Sequence, residues 1–532
     1  MRKINKPTYL VILLMTTMSV LWAQPRVVDI PDNGDPVTPV DIFPFIMGDT
    51  TEMGARVDTN TIYTLENGVV YFSSDRLVNK PSWTLHLRAK DLENTDQKPI
   101  ITRIPDDLGE RPKIAYPEGD MILENLWIIG GENGPGESHD WGQIRLLGEN
   151  TRHVVKDCIL EKDRGGFLQL RADGVKLFVD NCILRNGGNR FILEGNGRGI
   201  DSRNFSFDSL VVTNTVIHNI IDRVFRSIGN TIPHNYIEFD HNTIFNVAGR
   251  HGYFNFEWVR VAKVTNNLLI NPIMLGTTPA LTDEQNQPDN ESHKIFTVDT
   301  VTSETQFQIS NNNIFYTQDV IDVWAKHDTV SRPEVYSALM KQVMGADTAN
   351  SFIEEVIELK NVPIPITQYI DDLYADPSST EMFDFVVEDS AVAGTALDFG
   401  NLFNFANFDP CYDSGAQSAS ASTDGGGIGK FNTCTTQSTS IASRINEDLL
   451  LNIFPNPLDR EARVSFTLRK PGHVNIQVVD MFGRVVEELT NRQIGVGEHT
   501  QQWELKDKLA AGMYMVKLET VEGAMVQKVL VR

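Results

Sequence analysis

Apolar and polar positions along this chain recur as a phrase. Six residues, apolar at the first and sixth places, return at 123–128, 155–160, 179–184, 212–217, 239–244, 264–269 and 309–314. The third place is Asn125, Asn181, Asn214, Asn266 or Asn311 in five copies, Asp157 in one and His241 in another. Successive copies start 32, 24, 33, 27, 25 and 45 residues apart, within the range of stacked repeat architectures. The shortest unit holds a strand, a polar bend and a strand, with no room for a helix. One such turn of chain cannot bury its own apolar face, so turns stack and share a core. The pattern predicts an all-β protein whose residues 57–413 wind as a parallel β-helix, a solenoid. Asn and Asp tolerate the left-handed conformation of a tight bend. The third-place residues, His241 included, are therefore expected to form a column at one corner. At a strand spacing of about 4.8 Å their side chains are expected to bond to one another. Asn242, Asn267 and Asn312, one place further on, read as ladder residues of the core. A β-sandwich with scattered Asn gives no reason for such a column.

The flanks follow other patterns. Residues 1–23 join Arg2, Lys3 and Lys6 to a mainly apolar run ending at Ala23, the form of an export signal, with an N-terminal anchor helix as the alternative. No later stretch is apolar enough to cross a bilayer as a helix. Residues 24–56, rich in Pro and Asp, read as an extended lead-in. Strands at 61–65, 69–72 and 83–87, with Asn67-Gly68 as a turn, open the stack. A polar loop over 277–291 accounts for the longest gap. Ser331-Arg332-Pro333-Glu334 has the form of a capping box before Val335, Leu339 and Val343, and predicts a helix closing the stack. Residues 354–359 and 383–387 read as strands of a last coil. A Ser/Thr/Gly-rich linker is expected over 414–447. Within 448–532, strands at 464–468, 474–479, 485–489, 500–505, 513–519 and 525–531 predict a small C-terminal β-sandwich.

Charge sharpens the picture. The 532 residues carry a formal charge of −24, which argues against a general nucleic-acid binder. Residues 141–260 nevertheless hold 12 Arg and 3 Lys against 13 acids, a local net charge of +2. The bias towards Arg matters because its planar fork binds carboxylates in a bidentate manner. About ten residues after most bends comes another strand: 144–146, 167–171, 191–194, 224–227 and 254–257. Alternation turns Arg145, Gln169, Arg171, Arg226, Asn255 and Glu257 outward; in 191–194 either Leu193 or Glu194 faces out. Stacking makes these a polar stripe along which a polymer fits. The stripe gives Arg145, Arg171 and Arg226 as carboxylate binders, with Gln169, Glu194, Asn255 and Glu257 as further substrate contacts. Arg226, His251 or Lys263 is the candidate base for removing a carbon-bound proton beside a carboxylate. The alternative for each surface arginine is plain solvation. No Cys/His metal spacing is present, and no cofactor is indicated; Ca²⁺ bound through acidic and Asn oxygens, Glu194 and Glu257 among them, is left open. Four cysteines are too few for a disulfide framework. Cys158 and Cys182 follow the bend in adjacent coils at a spacing slightly long for a bridge, and read as packed thiols. Cys411 and Cys434 flank the linker, where an oxidising compartment permits a bridge.

Two resemblances rest on these residues. Phe454-Pro455-Asn456-Pro457, Val478-Val479-Asp480-Met481-Phe482-Gly483-Arg484, Leu509-Ala510-Ala511-Gly512-Met513-Tyr514 and Lys528-Val529-Leu530-Val531-Arg532 resemble, in order and spacing, the carboxy-terminal sorting domain of the type IX secretion system of Bacteroidota. This implies passage through the periplasm and the outer membrane, then release or surface attachment, with the secretion machinery as a partner. The repeat column of 57–410 is similar to that of the pectate-lyase-like right-handed β-helix superfamily, which implies a right-handed coil and a polysaccharide ligand. The catalytic motifs of pectate lyases and polygalacturonases are missing; Gly249-Arg250-His251-Gly252 is a faint echo. Two functions are thus expected: lyase-type cleavage of a uronate-containing glycan, or non-catalytic glycan binding or adhesion by a surface solenoid.

Overall fold

The computed structural model describes residues 25–434, apart from 35–37, 104–113, 131–142, 189–196, 278–292, 328–329, 376–384, 391–400 and 431–433. It also describes residues 451–531, apart from 455–457, 459, 469–470, 480–484, 506–508, 510–511 and 521–522. The export signal, Glu194, most of the 277–291 loop and nearly all of 435–447 lie outside the described residues. The chain divides into two compact units, 1–434 and 435–532.

The first unit is a stack of coils. Each coil contributes strands to long parallel sheets, and each strand pairs with its equivalents in the coils before and after. Among the described residues the first sheet has ten strands, from Val27–Ile30 to Gln306–Ser310. The second has eleven, from Val40–Asp41 to Phe352–Ile353, and the third has six. The repeated phrase sets the register. Its first places stack as Leu123, Val155, Val179, Val212, Phe239, Val264 and Ile309. Its sixth places stack as Ile128, Leu160, Leu184, Ile217, Ile244, Leu269 and Ile314. Both columns belong to one continuous buried core. All seven third-place residues are left-handed, with φ between 48° and 58°. A second left-handed column lies five residues on, at Lys162, Asn186, Asn219, Asn246 and Asn271.

The side-chain bonding at the corner follows the expectation in one pair, where Asn181 Nδ2 donates to Asp157 Oδ1, and departs from it in others. Outside the core, Asn214 Nδ2 donates to Asp180 Oδ1 (3.0 Å) and Asn266 Nδ2 to Asp240 Oδ1 (2.8 Å). These amides thus reach a second-place acid of the preceding coil. The amide-to-amide ladder is in the fourth place. Asn267 Oδ1 accepts from Asn242 N and Nδ2, both at 2.9 Å, and Asn312 Oδ1 accepts from Asn267 N at 2.9 Å. Asn242 Oδ1 accepts from Thr215 N at 2.9 Å, and Thr215 Oγ1 accepts from Cys182 N at 3.3 Å. Cys182 Sγ accepts from Cys158 N at 3.4 Å. The two buried thiols are free and extend the same ladder. A fourth-place side chain points inward, where an unpaired backbone N–H is costly, so the polar row sits there.

The ends depart from the linear reading. Val27–Ile30 is already a first-sheet strand paired with Ile62–Leu65, so the stack begins within the lead-in. Helix Ile42–Met47 closes that end: Asp41 accepts from Phe43 N at 3.0 Å, and Ile42 and Ile46 are fully buried. At the far end the helix is Ala338–Met344, with Met340 buried in the main core. It starts later than the capping box implies, because Ser331 is bridged to Thr277 and Tyr336 to Phe296. The expected last-coil strands do not form: 354–359 and 385–387 are not strand, 383–384 lie outside the described residues, and the strand that joins the second sheet is Phe352–Ile353.

Residues 414–430 are folded against the body rather than strung out as a linker. Thr423 N donates to Asn266 Oδ1 (2.8 Å), Gly429 N to Asn266 O (2.7 Å) and Asn311 Nδ2 to Ala421 O (2.8 Å). Tyr412, Ile428 and Leu359 pack with Val216, Phe245 and Leu268 on the outer face of the second sheet. Cys411 and Cys434 are bridged. Small residues let this strap lie flat along the corner column, so its composition reflects close packing.

Among its described residues the second unit has seven antiparallel strands in a sheet of three and a sheet of four. Leu451–Phe454 is an additional strand beyond the six read from the sequence. Val464, Val474, Ile476, Val478, Trp503, Val516 and Val529 form its core.

Candidate functional site

The third sheet carries the site. Its strands are Ile144–Leu146, Leu168–Leu170, Ile200–Arg203, Phe225–Ile228, Phe254–Asn255 and Phe296–Thr297. Ile144, Leu168, Ile200, Phe225, Phe254 and Phe296 are fully buried in the core, which turns the next residue of each strand outward. Register stacks these as Arg145, Gln169, Asp201, Arg226, Asn255 and Thr297. The column matches the expected stripe except in one coil. There the described strand is Ile200–Arg203, and Asp201 stands in the outward column; residues 191–194, with Leu193 and Glu194, lie outside the described residues.

The column borders a pocket of about 420 Å³ lined by Arg145, Gly165, Gln169, Arg171, Arg198, Asp201, Arg203 and Arg226. Asp201 is its hub, with its side chain 1% exposed. Its Oδ1 accepts from Arg226 Nε at 2.5 Å, and its Oδ2 is ion-paired with Arg171 Nη2. Arg171 Nη1 also donates to the Asp201 carbonyl at 2.9 Å. Burial pushes this carboxyl upward, but Arg226, Arg198 and Arg171 outweigh it and hold the acid below its ordinary range. Burial, with help from Arg145 and Arg226, pushes Arg171 down from the usual arginine value despite the pull of Asp201. Arg145 Nε donates to Gln169 Oε1 at 3.0 Å, and its guanidinium lies 5.5 Å from the centre of the Tyr116 ring.

A second buried carboxylate stands behind the wall. Asp222 Oδ2 is 2.7 Å from Arg198 Nε; Asp222 Oδ1 is 3.3 Å from Arg223 Nε and 2.9 Å from His251 Nδ1. Burial raises this acid too, but Arg223, His251 and Arg198 bring it well below the ordinary value.

The remaining candidates are dispersed. His251 is buried and tied to Asp222, one residue removed from the lining. Lys263 is on the first sheet, paired with Glu238 Oε1 at 2.5 Å, so it does not join the pocket. Glu257 is a left-handed bend residue with φ 50°. Its carboxylate accepts from Gly229 N (2.6 Å) and Ser227 Oγ (3.2 Å), so it braces a turn. Asn255 continues the column beside Arg226 but does not line the pocket. Glu194 lies outside the described residues. His241 is a bend residue, as expected, with Nδ1 2.8 Å from Asp240 Oδ2. Among the described residues no cluster of three or more His, Cys, Asp or Glu suits a metal ion.

Sequence reasoning missed Asp201, Arg198 and Arg203. The usable signal was the distance to the following bend. Third-sheet strands begin 12–16 residues before the next third-place residue, but 11–30 residues after the preceding one. Counting backward from Asn214 reaches Ile200; counting forward from Asn181 stops short.

Fold and pocket together define a parallel β-solenoid with an arginine-lined cleft on one face. Residues 452–532 match the family described as "Secretion system C-terminal sorting domain", so the protein is directed by type IX secretion to the cell surface or beyond. No curated protein and no solved structure matches the chain. No helix among the described residues is long and apolar enough to cross a membrane.

Proposed function

We propose that this secreted or surface solenoid takes an acidic, uronate-containing polysaccharide at the third-sheet pocket and cleaves it by elimination. The observation that carries this reading is five arginines gathered round one buried carboxylate in an outward cleft. The outward column spans six coils, roughly 24 Å at the usual strand spacing, a length that suits a chain better than a single sugar. In the reaction, arginine neutralises the uronate carboxylate and so acidifies the adjacent carbon-bound proton. A base removes that proton, the electron pair left on carbon forms the C=C bond of an unsaturated sugar, and the glycosidic oxygen leaves with the C–O pair and takes up a proton as the hydroxyl of the other fragment. Of the three candidate bases only Arg226 lines the pocket, with its guanidinium fixed through Nε by Asp201. The pectate-lyase-like resemblance of the repeat column agrees with this assignment.

One observation favours a second reading, binding without cleavage: His251 is committed to Asp222 and Lys263 to Glu238. Incubation of the mature protein with polygalacturonate, alginate and glycosaminoglycans, with and without Ca²⁺, separates the two. Cleavage gives a rise in the ultraviolet absorbance of unsaturated uronate, abolished by Arg226→Ala. Retention on glycan affinity gels without chain shortening identifies the binder. Neither retention nor cleavage on any acidic glycan rejects both.

A further inference from the structure

The charge balance of the pocket says more about the glycan, on the footing of the proposed function. Five arginines face one lining carboxylate. The buried Asp222 adds a second negative charge, but Arg198, Arg223 and His251 share it. Arg171, Arg198 and Arg226 are held by these two acids. Arg145 is different, touching an amide oxygen and an aromatic ring. Arg203, on the exposed end of its strand, has no carboxylate partner among the described residues. Like charges crowded into a partly enclosed cleft repel one another; Arg171 is lowered by burial first, with Arg145 and Arg226 adding to it. A plain uronate residue brings a single carboxylate, whereas two arginines, Arg145 and Arg203, stand without an acid among the described residues. A sulfate ester adds a permanent charge and several acceptor oxygens fitted to the guanidinium fork.

We infer that the pocket takes a sulfated acidic glycan, whose repeating unit carries sulfate as well as carboxylate, with Arg145 and Arg203 as the residues free to contact the added anionic group. Of the clamped arginines, Arg171 and Arg198 provide the fixed positive field, and Arg226 keeps the base role. The whole chain carries −24, so its net charge repels polyanions, and the Arg145 and Arg203 variants assign sulfate-dependent binding to this cleft.

The test uses two matched pairs at about 0.15 M salt, where exposed charges are screened: polygalacturonate against sulfated polygalacturonate, and chondroitin against chondroitin 4-sulfate. Calorimetry on the mature chain is expected to show the sulfated member of at least one pair binding about tenfold more tightly. Arg203→Ala and Arg145→Ala are expected to shrink that preference, and Arg203→Lys to retain part of it. If the sulfated member binds no more tightly in either pair, or the preference is unchanged in the Arg145→Ala/Arg203→Ala double variant, the inference is wrong. Binding to polygalacturonate would then still uphold the proposed function. No binding to any of the four overturns both.

Discussion

At the scale of residues, Asp201 organises the site, and it does so by being buried among arginines. Removing it leaves Arg171 and Arg226 without their counter-ion. Loss of one partner from a buried ion pair costs about 3–5 kcal/mol, so Asp201→Asn is expected to lower the denaturation midpoint clearly while circular dichroism still reports a β-fold. The sign of the pH effect follows from its depressed pKa. The stabilisation is complete above the unfolded carboxyl value of about 3.9 and is lost as pH falls through the lower folded value. Wild-type stability should therefore drop as pH is taken from about 5 to 2, and the drop should be shallower in Asp201→Asn. Identical acid profiles would mean that Asp201 is not held low. Arg145, Gln169 and Arg226 were legible because strand alternation alone turns them outward. Asp201 was not, because Ile200-Asp201-Ser202-Arg203 has a single apolar residue and gives almost no periodic signal.

At the scale of elements, the phrase works because each place has one physical task. The first and sixth places fill the core, the third bends the chain, and the fourth satisfies backbone donors along the ladder. Asn267 illustrates the last. It is fully buried, accepts from Asn242, and donates to Phe239 O and Thr265 O at 2.8 Å each. Asn267→Leu keeps the volume but strands those groups, at about 1–3 kcal/mol for each buried unsatisfied partner. Chemical denaturation should show a loss of several kcal/mol; a change within about 0.5 kcal/mol, usual for neutral surface sites, would contradict the ladder. The bends were readable because few residue types accept a positive φ. The capping-box helix was misplaced by local reading, since bridges at Ser331 and Tyr336 claim those residues first.

At the scale of the whole molecule, the long insertions share one place. The intervals that vary, from 11 to 30 residues, all run from the bend corner to the third sheet. The strap of 411–430 covers the opposite task, shielding the second sheet, whose strands Val216–Ile220 and Thr243–Val247 are buried on both faces. Closing a loop of 23 residues with the Cys411–Cys434 bridge constrains the unfolded chain by about 3 kcal/mol. The Cys411→Ser/Cys434→Ser variant is expected to exchange the Thr423 and Gly429 amide hydrogens faster, with the Asn242 and Asn267 amides still protected. Unchanged exchange at the strap would show that packing alone holds it. The stacked coils, their register, the bends and the sorting domain could be read along the chain, because each is a local rule repeated or a contiguous motif. Contacts between coils were needed to settle that Ile200–Arg203 enters the third sheet, that a Ser/Gly-rich stretch is a strap, and which arginines meet one buried acid. Those outcomes depend on pairing between coils tens of residues apart, where the energy of contacts made in space outweighs any preference written within a single segment.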